Sequence, residues 1–157
     1  MKIKLIAIGK TDNSALKALI DDYMKRLSFY IKFEMDIIAD IKNGKNLSEA
    51  QQKEKEGELI LAKISPIDHL ILLDEKGKSF SSVSFSEELQ KKMNAGIKTL
   101  VFVIGGPYGF SDQVYAKSNG KISLSQMTFS HQMVRLFFIE QVYRGFTILK
   151  NEPYHHQ

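Results

Sequence analysis

The sequence predicts an α/β fold, one domain over residues 1–157 built on a mostly parallel sheet with helices on both faces. Two observations carry that expectation. Apolar runs of strand length recur along the chain, and each stops at a glycine or at a cluster of polar residues. Between the runs lie stretches whose apolar residues repeat every three or four positions, the period of a helix with one buried side. Strands that alternate with such helices form a parallel sheet, because parallel neighbours need a crossover of helical length. A chain of 157 residues is long enough to bury a core of this kind.

Taken in order, residues 3–8 read as a first buried strand, ended by Gly9. Ser14 is then expected to cap a helix whose apolar face is Leu16, Leu19, Ile20, Tyr23, Met24 and Leu27. A second strand is expected over 33–39, where Phe33, Met35 and Ile37 alternate, followed by a polar loop over 40–46. Ser48 and Gln51 stand at capping-box spacing for the next helix. Its first half is almost wholly polar, and Leu59, Ile60 and Ile64 are its expected buried residues. With mixed charge it reads as a solvated helix rather than an RNA-binding face. Ser65-Pro66 stops it. Residues 70–73 form a third strand running into Asp74-Glu75-Lys76-Gly77-Lys78, with His69 in a structural place at its edge. Ser84 and Glu87 suggest another capping box, with Phe85, Leu89 and Met93 as the stripe of a helix closed by Gly96. Thr99–Ile104 is the fourth strand. A brief helix near 113–117, then Asn119-Gly120, leads to a fifth strand over 121–124. The last helix is expected to start at Ser130 as N-cap, with Phe129 stapled against Val134. Its apolar residues, from Met133 to Leu149, cover more than one helix face, so the sheet alone cannot bury them. A second copy of the chain is the simplest cover.

Composition narrows the chemistry. With 43% hydrophobic and 25% charged residues, the chain reads as an ordinary soluble globular protein. A net charge of +4 permits a nucleic-acid partner without requiring one. The absence of cysteine removes disulfides, thiolate metal sites and a cysteine nucleophile. The first residues lack a signal-peptide cleavage pattern and no run approaches the length of a membrane helix, so a cytoplasmic location without membrane attachment is expected.

The stretch richest in chemistry is 101–144. The strand Val101-Phe102-Val103-Ile104 ends in Gly105-Gly106-Pro107-Tyr108-Gly109, and Ile122-Ser123-Leu124 ends in Ser125-Gln126-Met127-Thr128. Two loops at the ends of neighbouring strands are where an open α/β sheet places its ligand. Glycines without Cβ atoms let a ligand lie against the backbone. A dinucleotide site is unsuited, because the spacing is G-G-x-x-G and no acid occurs between Asp112 and Glu140. No P-loop lysine follows either. On residue types alone the glycines could equally make a tight turn, with Leu73 and Leu124 as core.

The segments Ile104-Gly105-Gly106-Pro107-x-Gly109, Leu124-Ser125-x-Met127-Thr128-x-x-His131-Gln132-x-x-Arg135, Glu140-Gln141-x-Tyr143-Arg144 and Tyr154-His155 resemble the RlmH family. The likeness runs the length of the chain from Ala7-Ile8-Gly9-Lys10 onward. Those proteins are SPOUT-class methyltransferases acting on N3 of a pseudouridine in 23S ribosomal RNA. The family's loop often carries an acidic residue where this chain has Tyr108. The resemblance implies a homodimer, a C-terminal segment threaded as a deep trefoil knot, S-adenosylmethionine (SAM) as methyl donor with no metal, and a tail that completes the site, of the other subunit. Ordinary topology rules argue against a knot, so that expectation rests on the resemblance alone. The donor-binding positions it implies are Leu73, Gly105, Gly106, Leu124, Ser125, Gln126, Met127, Thr128 and Phe129.

Methyl transfer from an activated sulfonium asks chiefly that donor and acceptor be held in line. Pyrimidine C5 methylation ordinarily uses a cysteine adduct, so a chain without cysteine suits attack through nitrogen or oxygen. Methylation at N3 requires loss of the imide proton, and His131, Tyr154 and His155 are the candidate acceptors, directly or through water. A histidine at 131 that merely packs or caps is the competing reading. Arg144 is placed to contact RNA phosphate, although at i,i+4 it can also pair with Glu140. The span 113–139, whose only charges are Lys117, Lys121 and Arg135, suits a polyanionic substrate. The tail 151–157 is by default a frayed end. The expected function is methylation of the helix 69 pseudouridine. With no appended RNA-binding domain, the expected partner is 23S RNA within the assembled 70S ribosome. A SPOUT enzyme with another RNA target and a non-catalytic ribosome-binding module are the alternatives.

Overall fold

The computed structural model describes residues 1–42 and 44–156, and of Gly44 its backbone only. Asn43, inside the expected 40–46 loop, and Gln157, the last residue of the expected tail, lie outside the described residues. Five strands are present: β1 (Lys2–Ile8), β2 (Lys32–Ile38), β3 (His69–Ser79), β4 (Thr99–Ile104) and β5 (Gly120–Ser123). They form one sheet in the order β2-β1-β4-β3-β5, and every pairing is parallel. The helices are α1 (Ser14–Leu27), α2 (Glu49–Leu61), α3 (Ser82–Asn94), α4 (Asp112–Lys117) and α5 (Met133–Leu149), with a 3₁₀ turn at Gly44–Asn46 in the expected loop.

Alternate residues of a strand point to opposite sides of its sheet, and the core divides accordingly. Ile3, Leu5 and Ala7 of β1 join Leu16, Ile20 and Leu27 of α1, Phe85 and Leu89 of α3, and Phe138, Ile139, Val142 and Phe146 of α5. Ile6 and Ile8 of the same strand join Ile60 of α2, Leu70, Leu72, Val101, Val103, and Val114 of α4.

Several boundaries differ from the sequence reading. The cap of α1 is Asn13, whose Oδ1 accepts from the Leu16 amide at 2.9 Å, and Ser14 is already helical. The cap of α3 is Ser81, whose Oγ accepts from the Ser84 amide at 3.1 Å. With both Ser81 and Ser84 able to cap, the earlier one wins because it adds a turn to the helix. The capping box of α2 forms as its sequence says, with Ser48 Oγ accepting from Gln51 N and Gln51 Oε1 accepting from Ser48 N. On that helix, however, Leu59 is 42% exposed while Glu56 is 3% exposed. Leu19 of the expected α1 face is also open to solvent. Gly96 ends α3 at φ +73°; its amide reaches Met93 O and the Ile97 amide reaches Lys92 O, a Schellman pair.

The third strand is longer than its apolar run. Beyond Leu73 the register breaks and then resumes, so that Leu73 and Lys78 both face Ile122. A Cβ on Gly77 would stand 2.6 Å from the Ile122 amide nitrogen, so only glycine lets the returning backbone close on β5. The bulged segment 74–77 stands at the end of the sheet where the glycine loop also lies.

Candidate functional site

A cleft of about 600 Å³ opens at the C-terminal ends of β3, β4 and β5. That volume lies within the range of small-molecule sites. Leu73, Gly105, Gly106, Leu124, Ser125, Met127, Thr128, Phe129 and His131 all border it, together with Tyr108. Gln126, named with them from the sequence, is exposed and does not line the cleft. Loop 123–128 is folded by its own side chains: Ser123 Oγ donates to Ser125 O at 2.9 Å, and Ser125 Oγ accepts from the Met127 amide at 2.9 Å.

The two glycines need a different explanation from the one their sequence suggests. A Cβ on Gly105 would meet the Phe110 ring at 3.2 Å, and one on Gly106 would run into the Glu56 carboxylate. Their missing side chains therefore let the loop sit down on the protein, while their backbones still face the cleft. Glu56 is held beneath the loop with Oε1 accepting from Gln52 Nε2 at 2.9 Å and Oε2 buried without a hydrogen-bond partner. Burial, with Asp40 nearby, raises its pKa above the ordinary carboxylate value. Its place was invisible in a polar helix half.

The sequence reading also missed the wall formed by Asp74, Glu75 and Lys76. Asp74 Oδ2 accepts from the Tyr115 hydroxyl at 2.5 Å, and Oδ1 accepts from the Lys76 amide at 2.8 Å. Burial and that carboxylate push the Tyr115 phenol up to about 12. The rule that ligands sit beyond strand C-termini already pointed to this segment.

His131 is exposed in the turn before α5. The expected N-cap at Ser130 is displaced: α5 starts at Met133 with Gln132 in the cap position and no side-chain cap, and Ser130 instead closes the turn before it, Oγ accepting from the Met133 amide at 3.1 Å and its carbonyl from the Val134 amide at 3.0 Å. The Phe129 ring packs at a tilt against Phe137, centroids 4.8 Å apart. Arg135 departs furthest from expectation. Read as part of a basic surface span, it is 0% exposed. Its Nη2 donates to Ile8 O at 2.7 Å, Nη1 to Thr11 Oγ1 at 3.1 Å and Nε to His131 O at 3.0 Å. Gln132 Nε2 adds a bond to Lys10 O at 2.7 Å. The two sequence motifs around Ile8 and Arg135 thus meet, and Arg135 fixes the backbone that carries His131. Burial lowers its pKa, with Asp40 and Asp12 opposing. Lys121 lies 5.5 Å over the Tyr115 ring.

Arg144, Tyr154 and His155 are not at the cleft of their own chain. Arg144 lies eleven residues into α5, roughly 16 Å along its axis from Met133. There they form a second cluster. Glu140 Oε1 accepts from Arg144 Nη2 at 2.5 Å and Nε at 3.1 Å, and from the Tyr154 hydroxyl at 3.0 Å. The Tyr23 hydroxyl lies 3.0 Å from that of Tyr154, and Arg144 Cζ stands 4.7 Å over the Tyr154 ring. His155 Nδ1 is 3.4 Å from Arg144 Nη1; a guanidinium only donates, so this nitrogen accepts. Burial, then Tyr23 and Glu140, raise the Tyr154 phenol well above its usual range. Glu152 also accepts from the Tyr30 hydroxyl, so the tail packs on α1 and α5. Among the described residues no group of three or more His, Asp or Glu is placed to hold a metal ion. Nor, among them, is any helix long and apolar enough to cross a membrane.

Comparison with known proteins puts this geometry in a family. A family model described as predicted SPOUT methyltransferase matches residues 1–155. The chain is 83% identical over 157 residues to the ribosomal RNA large subunit methyltransferase H of Flavobacterium psychrophilum, covering the whole of both chains. It is 80% identical to the protein of that name from Flavobacterium johnsoniae and 66% identical to that from Christiangramia forsetii, again over the full length of each. The chain belongs to the SPOUT methyltransferases, in the family of ribosomal RNA large subunit methyltransferase H.

Proposed function

We propose that the protein is a cytoplasmic, homodimeric SAM-dependent methyltransferase that methylates N3 of a pseudouridine in the helix 69 loop of 23S ribosomal RNA, on the assembled 70S ribosome. The observation that carries this reading is the convergence of the glycine loop and residues 124–131 on one cleft, with His131 at its rim. Family membership and the names of the relatives support the reaction and the RNA substrate.

The cleft suits the donor. Leu73, Ile104 and Leu124 offer apolar walls, and the backbones of Leu73, Gly105, Gly106 and 124–129 offer polar groups for an adenine and a ribose. The cofactor supplies a methyl group already activated on a sulfonium. The chain's own residues then have two tasks: to hold the base in line and to receive the N3 proton. Tyr154 holds its proton more tightly than a free phenol, and His155 Nδ1 is engaged by Arg144. His131, exposed at the cleft, is the group in reach of a substrate, directly or through one water. Arg144 is assigned to a phosphate of the RNA.

A homodimer reconciles the two clusters, because the tail of one subunit can reach the cleft of the other when its own lies too far away. Met127, Phe129, Met133 and Phe137, all at least 36% exposed beside the cleft, are the apolar surface such a partner would cover. The fold is assigned the deep trefoil knot of its class, with helices over both sheet faces.

The test is transfer of labelled methyl from SAM to 70S ribosomes lacking the modification, with isolated subunits alongside and the product nucleoside mapped. Label in 3-methylpseudouridine of helix 69, on 70S particles only, is the expected result. Transfer to another nucleoside, or SAM binding without transfer to any ribosomal RNA, overturns the target; no SAM binding overturns the enzyme.

A further inference from the structure

A second hollow lies beside the first. It has a volume of about 180 Å³ and is walled by Ile71, Phe80, Phe85, Leu89 and Ile122, between α3 and the edge strand β5. Three lysines, Lys78, Lys92 and Lys121, border it against one acid, Glu88. Glu88 is already taken up by Lys92 at 3.5 Å and Lys91 at 3.9 Å. Lys78 is exposed, its Nζ 4.8 Å over the Phe80 ring. An apolar cavity of about 150 Å³ holds one benzene ring, so this one admits a single flat ring. An apolar slot with aromatic walls and a positive rim suits an aromatic ring that carries an anion.

The slot is continuous with the cleft. Ile122 borders both, and the bulged strand β3 runs between them, with Lys76 at the cleft and Lys78 at the slot. These lysines are two residues apart on one strand. A polyanion crossing that ridge meets a cation on each side.

We propose that this slot is a second nucleotide subsite, taking the base of a residue that neighbours the one in the cleft, with Lys78 at its phosphate. The assignment rests on the RNA substrate proposed above. It adds a specificity contact outside the donor cleft and the tail: the substrate must present two unstacked bases across β3, which a loop can do and a duplex cannot.

The slot can be read without turnover. In the full-length protein with labelled isoleucine methyls, Ile71 borders the slot alone and Ile104 the cleft alone. Uridine 5′-monophosphate is expected to move the Ile71 methyl, with uridine roughly tenfold weaker and inorganic phosphate silent at that methyl. Gly120→Val should abolish the Ile71 response, since a Cβ there points at Ile71 Cδ1 from an ordinary 3.4 Å and a larger side chain fills the slot. Lys78→Ala, at an exposed position, should weaken it without disturbing the fold. With 70S ribosomes both variants should raise KM roughly tenfold and leave the single-turnover rate unchanged. A nucleotide that moves Ile104 but not Ile71, uridine binding as tightly as its phosphate, or unchanged KM in both variants would each overturn the subsite. Because the methyl shifts need no transfer, a failure of the proposed reaction leaves them standing and is told apart from a failure of the slot.

Discussion

Around the start of α5 the side chains are open: His131 borders the cleft and is exposed, as are Met133 and Phe137, and the order comes from beneath, through Arg135 and Gln132 reaching Ile8, Thr11 and Lys10. Near its last turns the same helix is closed on itself. Glu140, Arg144, Tyr154 and Tyr23 bind one another, and four tyrosines gather with Tyr143 packed against Tyr23, Tyr30 and Tyr154. One end is held from below so that its upper side stays available. The other presents a charge and an imidazole already fixed in direction. A group that must accept a proton needs the first arrangement, and a group that must grip a phosphate gains from the second, because its rotamers are ordered before the substrate arrives.

Substitutions can separate the two ends, in decreasing order of effect. Arg135→Ala removes a buried guanidinium with three acceptors, leaving Ile8 O and His131 O unpaired. It should lower stability by about 3–4 kcal/mol in urea unfolding at fixed protein concentration. A loss below about 1 kcal/mol would mean that the first end is not held from below. His131→Ala touches only the open side, so stability should hold within about 0.5 kcal/mol. Its single-turnover methyl transfer at saturating RNA should fall roughly a hundredfold; a full rate would remove His131 as proton acceptor. Glu140→Gln loosens the closed end and should slow transfer roughly tenfold with SAM affinity unchanged, partly restored in Glu140→Asp. Equal loss of SAM binding would show that the two ends are one site in a single chain.

The smallest effect concerns the floor of the glycine loop. Burial raises the folded pKa of Glu56 above its ordinary 4.5. The folded chain then binds this proton more tightly than the unfolded chain. Glu56 therefore contributes stability fully below pH 4.5 and loses it as pH rises through the folded value. Glu56→Gln should remove that slope and raise stability by about 1 kcal/mol at pH 8, with little change at pH 4. Denaturation curves at the two pH values decide it; a destabilised variant at pH 8 would mean that the carboxylate is paired when charged.

The sheet was legible because burial on both faces leaves unmixed apolar runs, such as Val101-Phe102-Val103-Ile104. The cleft loops were legible too, since they follow those runs. What stayed hidden depends on distance in space. Nothing in a polar helix half marks Glu56 as buried, and nothing in an acid-free span separates Arg135, wholly enclosed, from exposed Lys117. The continuation of β3 through Asp74-Glu75-Lys76 was hidden because its pairing partner, Ile122, lies over forty residues on. The misplaced caps at Ser14 and Ser84 have a local cause: nearby residues of equal capping chemistry compete, and the earlier one lengthens the helix. That Arg144 and His131 stand apart follows from helix rise, yet the motif spacing alone invites placing them together.

The hydroxyl contact between Tyr23 and Tyr154 joins residues 131 positions apart. Closing a loop of that size costs only slightly more than closing one of half the length. During synthesis the sheet and the cleft are complete in sequence before the tail emerges. A nascent chain released short of Tyr154 would carry every residue that lines the cleft and lack the bonds that close the other cluster. Such a product would separate the two ends of α5: the turn at His131 stays tied down through Gln132 and Arg135, while Arg144 loses the Tyr154 ring it lies over and Glu140 loses a donor.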